Sequence, residues 1–296
     1  MCNGTLMDKL ISFAIPLMLS GILQLMFNAV DIIVVGRFSG SQSLAAVGST
    51  TALINVFTNL FIGISLGANV LAARYYALEK SKEMSETVHT AIAFALISGV
   101  GMAVIGLLMA KPALELMGTP DDVIAKSTLY MRIYFCGMPF FMLYNYGAAI
   151  LRAVGDTKRP LIFLLISGSI NAILNLFLVI QFHLDVAGVG IATVISQLIS
   201  CILVLRCLYC SESSYQFRPE KLNIRSSYLR QIFEVGIPAG IQSTVINLSN
   251  AMLQSSVNSF GSISMAGYTA ANNIFGFLYV SVNSVTQACM SFTSQN

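Results

Sequence analysis

What constrains this chain most is a succession of long apolar stretches separated by short polar ones. Eight can be marked, at 10–36, 44–77, 87–110, 124–151, 160–182, 186–210, 228–258 and 264–294. A helix that crosses a bilayer needs roughly 20 mainly apolar residues, and each stretch supplies that length. Lipid offers no hydrogen-bond partners, so a spanning segment must satisfy its own backbone, as a helix does. An all-α integral membrane fold is therefore expected. Composition decides one further point. Charged residues make up 10% of the chain, against about a quarter in a water-soluble domain. The net charge of +3 gives no case for nucleic acid as a partner. Membrane lipid is the expected surrounding, and a monomer the expected state.

Orientation follows from the basic residues. With the N-terminus in the cytoplasm, 12 of the 16 Lys and Arg fall on the inner side, among them Lys9, Lys80, Lys158, Arg218 and Arg225. Arg37, Lys111, Lys126 and Arg132 fall outside. A multi-pass protein of the cytoplasmic membrane is expected. The first apolar run is too long for a cleavable leader and reads as a retained helix. Lys111-Pro112 is expected to end the third helix. Pro16, Pro139 and Pro238 lie inside apolar segments and should kink their helices.

The longest polar connection, 211–227, reads as a cytoplasmic linker. Around it the sequence repeats weakly: Ile15-Pro16 matches Ile237-Pro238, and Asn28 matches Asn250 at the same offset. Six helices separate the copies, an even number that preserves direction, as in transporters built from parallel repeats. The expected organisation is a six-helix N-terminal lobe at 1–210, the linker, and a partial second lobe of two helices at 228–296. The second copy stops early, so truncation is expected.

Asp31 is the sharpest chemical signal. Of 13 acidic residues it alone lies well inside an apolar segment. A carboxylate there is costly to keep charged, and by default it marks function. It can take up a proton, or bind Na⁺ with neighbouring oxygens. The alternative is a helix-end aspartate reaching outer water, since Gly36 is close by.

Asp31 shares one helix face with Ser20, Gln24 and Asn28, at spacings of four, four and three. Amides and hydroxyls recur at similar spacing elsewhere: Thr51, Asn55 and Asn59; Ser167, Asn171 and Asn175; Thr193 and Gln197; and Ser243, Asn247, Asn250, Gln254 and Asn258. Such stripes cannot face lipid cheaply. They either bridge helices or line a shared polar cavity. The small-residue pairs Gly63/Gly67 and Gly236/Gly240 permit close helix packing.

Other features read as structural. The fourth segment is aromatic, with Tyr130, Tyr134 and Tyr144. Aromatic faces can hold organic cations, but packing or an interfacial belt is the expectation. The 14 methionines suit an adaptable binding surface, but mostly read as lipid-facing filler. Cys207 and Cys210 form a CxxC without a second ligand pair, and His89 and His183 read as loop or helix-end residues, so no metal site is expected. HExxH and GxxxxGK[ST] are absent from the sequence, and the GxSxG match at Gly63 to Gly67 lies within a long apolar segment rather than at a strand-to-helix elbow, so an enzyme is not expected.

Several of these residues together resemble the multidrug and toxic compound extrusion family. They are Ile15-Pro16, Gln24, Asn28, Asp31 and Val35-Gly36, then Leu44-Ala45-Ala46-Val47-Gly48. Leu151-Arg152-Ala153, Gly155-Asp156-Thr157, Asn171, Asn175, Gly188, Gly190 and Ala192-Thr193 continue the match along the chain. The resemblance implies two six-helix lobes flanking a cleft with alternating access. It implies export of small organic, often cationic, compounds driven by inward H⁺ or Na⁺, with no other cofactor. Asp31 then matches the cation-site carboxylate, Asn171 and Asn175 the amide pair beside it, and Thr193 a nearby hydroxyl. Gln24, Asn28, Asn55, Gln197, Asn247 and Asn250 are the candidates for a substrate cavity. Two positions depart: Asn175 stands where some members carry aspartate, and Asn247 where a sodium-linked branch carries glutamate. A flippase for lipid-linked precursors, or a non-transporting membrane fragment, would share this architecture.

Overall fold

A computed structural model describes residues 6–258 and 262–295, and every regular element among them is helical. The helices are α1 (Leu6–Phe38), α2 (Ser41–Ala77), α3 (Ser81–Leu116), α4 (Asp121–Cys136), α5 (Met138–Ala153), α6 (Lys158–Leu176), α7 (Asp185–Tyr209), α8 (Ser226–Asn258) and α9 (Ser262–Gln295). Among the described residues, five stretches are long and apolar enough to cross a membrane: 7–38, 42–77, 81–116, 158–181 and 185–209. α8 and α9 have the length, and their amide and hydroxyl side chains dilute their apolar character.

Two boundaries differ from expectation. The fourth apolar segment is two helices, because Gly137 separates α4 from α5 and Pro139 sits in the first turn of α5. Proline suits a first turn, where its missing N–H costs nothing. The junction is also tightly packed. A Cβ on Gly99 of α3 would lie 2.6 Å from the Pro139 Cα, and one on Gly137 would lie 2.3 Å from Gln197 Oε1. The other difference is α3, which runs through Pro112 to Leu116. Its stop is Gly118, at φ +69°, a left-handed conformation that glycine adopts without strain. The Thr119 N–H then bonds the Leu114 carbonyl at 3.1 Å.

The core lies among α2 to α5 and α7. Met84, Met131, Met138, Met142, Phe135 and Tyr146 are fully buried there. These methionines are core residues rather than lipid-facing filler, because an unbranched thioether fills irregular gaps between helices. At the end remote from the 211–227 connection, Lys126 of α4 ties α2 to α7. Its Nζ lies 2.7 Å from Asp185 and donates to Ser43 Oγ at 2.9 Å.

α8 packs against α2, and α9 against α1 and α2. The α2–α8 contact is backbone on backbone. A Cβ on Gly63 would fall 2.2 Å from the Gly240 Cα, and one on Gly67 would fall 2.1 Å from the Ile232 carbonyl oxygen. The two small-residue pairs therefore meet each other. α9 is fastened near its C-terminal end. Ser291 Oγ donates to Asn69 Oδ1 at 3.2 Å, Asn69 Nδ2 donates to the Ala149 carbonyl at 2.8 Å, and Gln295 Nε2 donates to the Ala153 carbonyl at 2.6 Å.

The connection between α7 and α8 is docked rather than loose. His89 is buried in α3, not at a loop or helix end. Its Nε2 accepts the Arg218 backbone N–H at 3.0 Å, so the proton must sit on Nδ1, which faces the Ser85 carbonyl at 2.7 Å. Phe217 stacks on the imidazole. The Arg225 N–H donates to Thr90 Oγ1, and its guanidinium pairs with Glu86 at 3.1 Å.

Candidate cation site

α1 and α6 bring the sharpest sequence signals together. Asp31 is half-buried, whereas Asn171 and Asn175 are buried. Asn175 uses both amide hydrogens. One goes to the Asp31 carboxylate, the other to Asn171 Oδ1 at 3.2 Å. Asn171 Nδ2 passes on to Thr193 Oγ1 on α7 at 3.5 Å, and Thr193 donates to the Val189 carbonyl at 2.9 Å. The result is one hydrogen-bonded chain from α1 through α6 to α7.

One member is incompletely satisfied. The Asn175 Oδ1 is buried without a hydrogen-bond partner. Leaving a buried acceptor idle costs about 1–3 kcal/mol. Beside a carboxylate, a second amide oxygen and a hydroxyl, such an atom suits a hard cation that takes oxygen ligands. Just after Asn175 the helix opens into a π-helical turn, Phe177–Gln181, an irregularity that often accompanies functional sites.

α4 adds two residues that aromatic composition alone had assigned to packing. Tyr130 and Tyr134, one turn apart with rings 6.3 Å apart, lie within electrostatic reach of Asp31. Gln197 on α7 lies beside the Tyr134 hydroxyl, and its Oε1 is also buried without a partner. The i, i+4 tyrosine pair was visible in the sequence. Its direction toward α1 was not.

The proposed cavity residues are less unified. Gln24, Asn28, Asn55 and Asn250 are exposed, and Asn247 closes on its own helix by donating to the Ser243 carbonyl at 2.8 Å. Gln197 alone joins the Asp31 surroundings. The side chains of Gln254 and Asn258 lie outside the described residues. Many hydroxyls in the stripes also bond back to their own helix: Ser20 to Pro16, Thr51 to Val47, Ser167 to Leu164 and Ser243 to Ala239. Back-bonding of this kind satisfies a hydroxyl without either a partner helix or water. A polar cavity of 690 Å³ lies at the 211–227 connection, lined by Lys82, Glu86, His89, Lys221 and Arg225, away from Asp31.

Comparison with known proteins follows the same lines. The MatE family model matches residues 16–177, more than half of the chain. The probable multidrug resistance protein YoeA of Bacillus subtilis (strain 168) is 32% identical over 96% of this chain and 63% of its own length. The multidrug export protein MepA of Staphylococcus aureus (strain MRSA252) is 24% identical over 86% of this chain and 57% of its own. The chain thus spans a little under two thirds of the length of such relatives. Among solved structures, the outward-facing conformation of a multidrug resistance MATE family transporter of the MOP superfamily superposes with a TM-score of 0.89. That match covers 96% of this chain and 63% of the other at 21% identity, which is a likeness of fold.

Proposed function

Because this chain belongs to the MatE family of membrane transporters, we propose that it carries the cation-coupling half of an antiporter that exports small organic, often cationic, compounds. Inward H⁺ or Na⁺ drives the export. The multidrug resistance and multidrug export names of its relatives support the substrate class. In this reading α1 to α7 form one lobe (1–210), 211–227 is a cytoplasmic linker that runs into the first turn of α8, and the rest of α8 with α9 belongs to a second lobe (228–296). The N-terminus faces the cytoplasm of a cell whose cytoplasmic membrane holds the protein as a monomer.

The observation that carries the mechanism is the Asp31–Asn175–Asn171–Thr193 chain with its idle Asn175 oxygen. A carboxylate removed from bulk water is stable when neutralised, either by a proton or by a cation held among oxygens. Asp31 takes that cation from one side of the membrane. The amides of Asn171 and Asn175 and the Thr193 hydroxyl hold the carboxylate in place and complete the oxygen shell. Occupied and empty forms of the site prefer different helix arrangements, so the ion gradient biases which arrangement the exporter adopts.

Reconstitution tests this. Dye efflux from proteoliposomes is expected to depend on an imposed H⁺ or Na⁺ gradient, each applied separately. Asp31→Asn is expected to abolish that dependence. Gradient-driven efflux unchanged in Asp31→Asn would refute the coupling role.

A further inference from the structure

We propose that Phe27 and Gly168 are a positioning pair: the Phe27 ring, seated in a notch at Gly168, sets the register of α1 on α6 and so holds Asp31 against Asn175. The inference rests on Asp31 being the cation-handling group and adds what keeps it in place.

The geometry is direct. A Cβ on Gly168 would lie 1.9 Å from Phe27 Cε2 and 2.3 Å from Cδ2 and Cζ. The ring therefore occupies the space where any other residue of α6 would carry its side chain. Phe27 and Asp31 are one turn apart on α1. Gly168, Asn171 and Asn175 follow one another at spacings of three and four, so they share one face of α6. The ring and the carboxylate thus meet the glycine and the amide pair along a single seam. A slip of α1 by one residue rotates its side chains by about 100° and would carry Asp31 off that seam.

α1 is also seated from its other side. A Cβ on Gly21 would lie 2.3 Å from Val280 Cγ1 of α9. A large ring fills a notch in α6, and a notch in α1 receives a branched side chain from α9. Gln24 lies between these two contacts in sequence, Asn28 directly follows Phe27, and both are exposed. Asp31 is bonded by Asn175 of α6, with Tyr130 and Tyr134 of α4 within electrostatic reach. The hydrogen bonds of its carboxylate thus depend on where α1 stands.

The test uses dicyclohexylcarbodiimide, which attacks a protonated carboxyl in apolar surroundings, with labelling of the α1 peptide read by mass spectrometry on the purified chain in nanodiscs. In the parent, labelling of Asp31 is expected to be suppressed by Na⁺ or by raised pH. Indifference to both would sink the cation reading itself and leave the register question separate. Gly168→Ala is expected to displace the ring and raise the labelling rate several-fold at fixed pH. Phe27→Leu, the milder change, is expected to raise it about twofold to threefold by loosening the seat. Gly168→Ala combined with Phe27→Leu restores room for the methyl group and is expected to return the rate to within about twofold of the parent. Melting temperatures taken alongside separate folding loss from register change. The proposal is overturned if folded Gly168→Ala and Phe27→Leu label at the parent rate, or if the double variant labels as fast as Gly168→Ala.

Discussion

Asn175 donates to the Asp31 carboxylate while its own carbonyl oxygen stays buried without a hydrogen-bond partner. The same side chain orients the charge and keeps an acceptor in reserve beside it. An aspartate at that position would bring a second charge. A leucine would bring neither donor nor acceptor.

The Asn175 variants should therefore diverge. Asn175→Leu removes the partner of a half-buried carboxylate, a loss of about 1–3 kcal/mol, and should lower the melting temperature and remove any stabilisation by Na⁺. Asn175→Asp places two carboxylates together, whose repulsion grows as both ionise. Its stability should fall as pH rises and recover with added Na⁺ more than the parent's does. Melting curves across pH and Na⁺ concentration check both, and identical curves for the two variants would contradict the assignment.

The glycine seam between α2 and α8 predicts a sharp contrast within one helix. Gly67→Ala directs a methyl group at the Ile232 carbonyl, 2.1 Å away, and at the Gly236 nitrogen, 2.8 Å away. Backbone cannot yield as a side chain can, so a destabilisation of about 1–3 kcal/mol is expected. Gly48→Ala, also in α2, meets nothing within 4 Å. It should be neutral or stabilising by about 0.5–1 kcal/mol through helix propensity. Thermal melts of the two variants decide the matter.

His89 should protect the 211–227 connection. His89→Leu leaves the Arg218 N–H without its acceptor and removes the ring on which Phe217 stacks. Trypsin should then cut after Lys221, which is exposed, several-fold faster than in the parent. Unchanged cleavage kinetics would mean that the docking owes little to the imidazole.

Asn69 and Ser291 offer a covalent probe. Their side-chain oxygens are 3.2 Å apart, so the two positions face each other across α2 and α9. In a background without the native cysteines, Asn69→Cys/Ser291→Cys should crosslink with a short bis-methanethiosulfonate, seen as the added mass of one linker. Under the proposed function, the crosslink should arrest efflux, and reductant should restore it. Full efflux from a fully crosslinked sample would show that α2 and α9 need not separate at this point.

Much of the candidate site was legible because its chemistry is rare in its setting. An acid, two amides and a hydroxyl inside apolar segments stand out by type, and spacings of three and four assign them to faces. The paired glycines were legible for the same reason. What a single chain could not convey is which face meets which. The Phe27–Gly168 seat, the approach of Tyr130 and Tyr134 to Asp31, and the His89–Arg218 bond each join separate elements, the last across a separation of 129 residues. Proline misled twice for a related reason. Pro112 and Pro139 both weaken a helix locally, but the neighbouring glycines, Gly118 at a positive φ and Gly137 beside Gln197, mark where the helices end.

The docked connection has a mechanical consequence for α8. Its leash is pinned up to Arg225, one residue before the helix begins, so little slack is left to absorb a swing. A tilt of α8 would have to be taken up further along the rod, where Pro238 interrupts the hydrogen-bond ladder between Gly236 and Gly240. Those two glycines are also where α8 touches α2 backbone to backbone. Bending point and bearing surface coincide, which makes that turn of α8 a fulcrum.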